Sequence, residues 1–203
     1  MKLLSNIQIL FLTRILRLFG YGLLSVILVL YLAERGISET QIGLLLSLTL
    51  IGDVVVSLWI TLHADRFGRK RMLVLSSLLI VLAGVLFIVT NNFLLLLLAA
   101  VIGVISPSGN EVGPFLPIEQ AALSQITSGR SRTKIFAWYH LCGFFATALG
   151  SLVAGFMMRF PLNHGVSPVE SYQKILFFYA IIGMLLGILF TRYRRKTLYS
   201  PIS

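Results

Sequence analysis

The segment Thr61-Leu62-His63-Ala64-Asp65-Arg66-Phe67-Gly68-Arg69-Lys70-Arg71 stands between two long apolar runs and decides how the chain is read. Gly68 permits a tight reversal, and the four cations Arg66, Arg69, Lys70 and Arg71 mark the turn as cytoplasmic. A basic turn between antiparallel helices accounts for those cations. It does not account for Asp65, an anion at a helix C-terminal end, where the dipole disfavours negative charge.

Outward from this turn the chain is a series of apolar runs. Crossing roughly 30 Å of hydrocarbon takes about 20 mostly apolar residues. Six stretches meet or nearly meet that length, at about 7–32, 42–62, 72–89, 93–117, 135–157 and 172–191. Lipid offers no partner for backbone polar groups, so such spans are helices. The expected fold is an all-α membrane protein of six transmembrane helices over residues 1–196, followed by a short polar tail, 197–203. Between spans, one side of the membrane carries only Arg35, Arg159 and Lys174. The other carries Lys2, the four cations of the 65–71 turn, Arg130, Arg132 and Lys134, and the run from Arg192 to Lys196. Basic residues near span ends stay cytoplasmic, so both termini are expected inside a cell membrane and the helix count is even. The stretch from Glu119 to Lys134 is the one amphipathic candidate for the membrane surface.

Composition agrees with a lipid environment. The 203 residues are 57% hydrophobic and 12% charged, with a mean hydropathy of +0.92; a soluble domain carries about 25% charged residues. The net charge of +10 does not point to nucleic acid, because the cations sit at span ends and on no soluble domain. The single cysteine, Cys142, allows neither a disulfide framework nor a cysteine metal site. No signal peptide is evident, since the first apolar span outruns a short h-region. There is no metal-ligand spacing, no Ser/His pair at helical spacing and no phosphate loop, so neither an enzyme nor a cofactor is expected.

Ionisable residues within the spans are costly and mark functional sites by default. They are Arg14 and Arg17 in the first span, Asp53 in the second, Glu111 (beside Asn110) in the fourth and His140 in the fifth. At 1.5 Å per residue, Asp53, Glu111, Arg17 and His140 lie at a shared depth of ~8–15 Å from the cytoplasmic span ends. Arg14 is near the interface and reads as a snorkelling anchor. A helix-tying hydrogen bond would explain Asp53, and ordinary packing beside Trp138 and Tyr139 would explain His140. Trp138, Tyr139, Tyr172 and Tyr193 read as interface belt or core packing. In the fourth span, Pro107, Gly109, Gly113, Pro114 and Pro117 crowd the cytoplasmic half. Proline disrupts a helix, and broken helices at membrane depth point to binding sites. A kinked helix over 93–117 is expected, because a helix stopping at Ser106 would be too short to span. Gly143, Gly150 and Gly155 with Ala146 and Ala148 suggest close packing of the fifth span.

The 61–71 segment resembles the signature loop of the major facilitator superfamily, G-x-x-x-D-R-x-G-R-K, which joins that family's second and third helices on the cytoplasmic side. Arg14, Arg17 and Gly20-Tyr21-Gly22 in a long first span, then Ile42-Gly43-Leu44 after a short outer loop, fit the same pattern. The resemblance covers the chain but only the first half of the family's twelve helices, arranged as two inverted three-helix repeats. One position departs: the leading glycine is Thr61, so the close approach it gives the second helix is not carried over. The resemblance implies a cytoplasmic gate of Asp65, Arg66, Gly68, Arg69 and Glu119. In it Asp65, Arg69 and Glu119 form a charge relay, against a structural reading as ordinary surface ion pairs. It also implies that the first and fourth helices line a cavity, where Arg17 and Glu111 face each other. Arg17, Tyr21, Asp53, Asn110, Glu111 and His140 are then candidates for the substrate or proton pathway, with Glu111 foremost for protons. The implied activity is transport of a small solute by alternating access, in contact with membrane lipid. It requires a second six-helix half as a continuing chain, a second copy or a partner. A non-transporting membrane scaffold and an inactive fragment are the alternatives.

Overall fold

The structure, a computed structural model, describes residues 6–103, 105–107, 109, 113–127, 131–162 and 167–193, side chains excepted at positions 65 and 160–162. The described residues form helices and connections only, with no strand. The helices are α1 (Asn6–Glu34), α2 (Glu39–Phe67), α3 (Arg69–Val89), α4 (Phe93–Ile102), α5 (Phe115–Ile126), α6 (Ser131–Leu162) and α7 (Pro168–Arg192). Among them α1, α2, α3, α6 and α7 are long and apolar enough to cross a membrane, while α4 is a shorter apolar helix.

Local chemistry sets the helix ends. Ser38 and Gln41 form a capping box at the start of α2, satisfying orphan backbone donors reciprocally. Ser167 caps α7 through the Glu170 amide, with Pro168 at the first helical position. Gly68 joins α2 to α3 at φ 95°, a conformation that residues with a Cβ rarely adopt.

The fourth apolar run is not one kinked helix over 93–117. It is a ten-residue α4 and a separate α5, and the residues described in the passage between them (103, 105–107, 109, 113 and 114) are not helical. Pro107 and Pro114 remove backbone donors within the passage, and Gly109 and Gly113 hold φ at 69° and 129°. Pro117 lies in the first turn of α5, where a missing N–H costs nothing. Of the stretch from Glu119 to Lys134, α5 buries Glu119, Ala122 and Leu123, and residues 128–130 lie outside the described residues.

Helices α1, α3 and α7 form the middle of the bundle. α1 packs on α6 and α7, α3 on α7 and α4, and α2 on α4. Helices in lipid gain little from burying apolar surface, so close backbone approach matters more. The crossing of α1 and α6 shows this. A Cβ on Gly22 would lie 2.2 Å from the Thr147 carbonyl oxygen, and one on Gly150 would lie 2.1 Å from that of Phe19. Ser151 Oγ donates to the Gly22 carbonyl at 3.1 Å across the same contact. Gly155 faces open space instead. The least buried spans are α2 and α6, whose outer faces carry Val54, Val55, Leu58, Phe145, Leu152 and Phe156.

Gly150→Ala is therefore expected to cost about 1–3 kcal/mol through overpacking, measured as thermal or denaturant unfolding in micelles. Gly155→Ala should cost nothing. Equal stabilities for the two variants would contradict this crossing.

Candidate functional site

The largest buried polar cluster is built where α1, α5 and α6 meet. Because the chain breaks before α5, Glu119 is turned against α1. Arg17 Nη1 donates to Glu119 Oε1 at 2.9 Å and Nη2 to Oε2 at 2.7 Å, a bidentate pair with both side chains fully buried. Thr13 Oγ1 donates to Oε1 at 3.1 Å, and Tyr139 Oη from α6 donates to Oε2. Four donors thus converge on one carboxylate. The Arg17 guanidinium also lies over the Phe115 ring, 4.4 Å from its centroid, a favourable placement for a desolvated cation.

Arg14 extends the cluster. It is buried and lies 4.2 Å from the Tyr139 ring centroid. Its Nη2 is 3.3 Å from His140 Nδ1. Arginine only donates, so Nδ1 accepts and the ring proton belongs on Nε2. His140 Nε2 lies 3.1 Å from Gln120 Nε2. Gly143 makes the room: a Cβ there would lie 2.5 Å from Arg14 Nε.

The second polar feature is Asp53, the central residue of α2 and 1% exposed. Neither of its carboxylate oxygens has a hydrogen-bond partner among the described residues. Tyr179 of α7, buried like Tyr21 of α1, is close enough to both Tyr21 and Asp53 to interact with each electrostatically.

In the 61–71 turn, the Gly68 amide closes α2 on the Ala64 carbonyl at 3.0 Å. Lys70 Nζ donates to the Thr191 carbonyl at the end of α7, a cation against a helix C-terminus. Arg69 faces the same end: burial pushes the Tyr193 phenol up, and the Arg69 charge pulls it partly back. Arg66 is exposed and lies 5.8 Å from the Phe67 ring centroid.

Arg17 therefore meets Glu119, and Glu119 spends its oxygens on Arg17, Thr13 and Tyr139 rather than on Arg69. Asn110 and Glu111 lie outside the described residues, as does the Asp65 side chain. Arg17, Glu119 and His140 belong to one connected cluster, while Tyr21 and Asp53 each lie near Tyr179. Sequence reading missed four contributors: Thr13, Arg14 as a buried rather than snorkelling residue, Tyr139 as a carboxylate donor, and Tyr179. The spacing Thr13, Arg14, Arg17 was the available signal, since positions i and i+4 share a helix face.

Glu119→Gln leaves Arg17 buried against a neutral amide, which is expected to cost about 3–5 kcal/mol. Removing both charges, as Arg17→Met with Glu119→Leu, should recover most of that stability. Unfolding curves of the single and double variants check this; an undiminished Glu119→Gln variant would refute the pair's importance.

Residues 10–201 match the Major Facilitator Superfamily. The chain is 38% identical over 180 residues to an uncharacterized membrane protein of Saccharomyces cerevisiae, covering 88% of this chain and 40% of that protein. It is 29% identical over 178 residues to a Na(+), Li(+), K(+)/H(+) antiporter of Planococcus maritimus, covering 86% of this chain and 39% of the antiporter. It thus spans about two-fifths of the length of these relatives. With the five membrane-length helices and the signature turn between α2 and α3, the match over nearly all of its length makes this chain a multi-pass membrane protein of the major facilitator superfamily.

Proposed function

We propose that this chain is the N-terminal six-helix half of a secondary transporter that moves a small solute by alternating access and is coupled to protons. The observation that carries this is the broken α4–α5 passage. It supports the reading because irregular backbone at membrane depth occurs where it is buried in protein or lines a cavity. In transporters such discontinuities accompany binding sites near the bilayer midplane. On this reading α4, the passage and α5 together form the fourth crossing, which makes six and leaves both termini cytoplasmic. The two three-helix groups are then inverted repeats, and the protein resides in the cell membrane.

The second half packs on the outer faces of α2 and α6. Those spans are the least buried of the five, and the relatives have more than half their length beyond the matched region. The 61–71 turn gates the cytoplasmic side, with Asp65, Arg66, Gly68 and Arg69 meeting that second half. The antiporter relative supports monovalent cation/proton exchange as the first solute class to test.

Vesicles containing the chain together with its second half, loaded with a pH-sensitive dye, provide the test. Addition of Na+, Li+ or K+ should dissipate a preformed proton gradient, and the 203-residue chain alone should not do so as a monomer. Exchange by a strictly monomeric chain would overturn the half-transporter reading. Absence of exchange from assembled vesicles with all three cations would overturn the cation/proton assignment.

A further inference from the structure

We infer that Asp53 is the group on which this protein carries a proton, held at the middle of the bilayer beside the phenol of Tyr179. The inference deepens the transport reading above and rests on it.

Position is the first argument. Asp53 is the central residue of α2, and Tyr21 and Tyr179 each lie within one residue of the middle of α1 and α7. Three helices long enough to span thus carry one carboxyl and two phenols near their midpoints, and Tyr179 is close enough to interact with both Asp53 and Tyr21. The side chains are 1%, 0% and 1% exposed. Placement is firm, because the neighbouring Gly52 lets α2 press on α4: a Cβ there would lie 2.7 Å from the Val101 carbonyl oxygen.

The second argument is the lack of a partner. An aspartate that merely tied two helices would show a hydrogen bond, yet both Asp53 oxygens lack one among the described residues, as does the Tyr179 hydroxyl. No described cation faces it either. α4 has no titratable side chain. Those of α3 are confined to Arg69, Lys70 and Arg71 in its first turn. On α1, Arg17 holds Glu119 of α5, and Arg14 lies against Tyr139 and His140. A carboxylate enclosed with no donor or counter-charge among the described residues is too costly to persist in that state. Taking up a proton removes the cost.

The proton cycle balances simply. The carboxylate accepts a proton from water on the side to which the site opens, forming an O–H bond and losing its charge. The neutral acid can then donate to a phenol oxygen. When the site opens to the other side, the proton leaves to water and the negative charge returns. Glu119 is unsuited to this role, because protonating it would strip Arg17 of its counter-charge.

Infrared difference spectroscopy of the chain in lipid nanodiscs, recorded across pH, tests the assignment without requiring transport. Its failure is therefore a result separate from failure of the transport reading. The wild type should show the C=O stretch of a protonated carboxyl in apolar surroundings, disappearing as pH rises. Asp53→Asn should abolish that band, and Asp53→Glu should restore a shifted one. A band with an unchanged midpoint in a folded Asp53→Asn variant would overturn the inference. If that variant does not fold, wild-type protein treated with dicyclohexylcarbodiimide, which adds to protonated carboxyls in apolar sites, decides by mass mapping. Modification should fall on Asp53 and fade at high pH; modification only elsewhere, or none, overturns the assignment.

Discussion

The two hydrogen bonds of the bidentate pair between Arg17 and Glu119 join a guanidinium and a carboxylate that are both fully buried. Each ion alone would be unsupportable at that depth, so the helices that carry them are not independent. α1 cannot turn its Arg17 face elsewhere, and α5 cannot extend straight from α4. The break between Ile102 and Phe115 follows from this demand as much as from its prolines. A continuous helix through Pro117 would fix the direction of Glu119 by its rise and twist. A broken one lets α5 start afresh with its carboxylate against α1. Tyr139 then supplies a further donor from α6, which passes α1 closely enough to do so because of Gly22 and Gly150.

Much of the fold was legible because lipid leaves the chain few choices. Span length, the alternation of basic connections and the Gly68 turn each follow from one strong physical rule, and α1, α2, α3, α6 and α7 appear where those rules put them. The fourth run failed because two rules conflict there. Its apolar length favours a crossing, while Pro107, Gly109, Gly113 and Pro114 forbid a single helix. Counting residues does not reveal which way the chain resumes.

The site was less legible for a related reason. Depth along a span can be counted, but rotation about the helix axis and the identity of the facing helix cannot. Arg17 was expected to face Glu111, with Glu119 assigned to the cytoplasmic gate. The direction of α5 instead brings Glu119 onto Arg17. Likewise Arg14 reads as an interfacial anchor by position, yet the missing side chain of Gly143 opens a pocket for its guanidinium. That complementarity lies 129 residues away in sequence.

The two buried acids meet opposite environments within one bundle. Glu119 has four donors, so its charge is held in place and its loss would loosen three helices. Among the described residues Asp53 has none, so its charge is a liability that a proton relieves. A molecule built only for rigidity would satisfy both acids or replace the second by a neutral residue. Placing such a carboxyl at the centre of α2, in the same bundle as a well-anchored ion pair, separates the two tasks: one acid fixes the architecture and leaves the other free to change its charge without dismantling it.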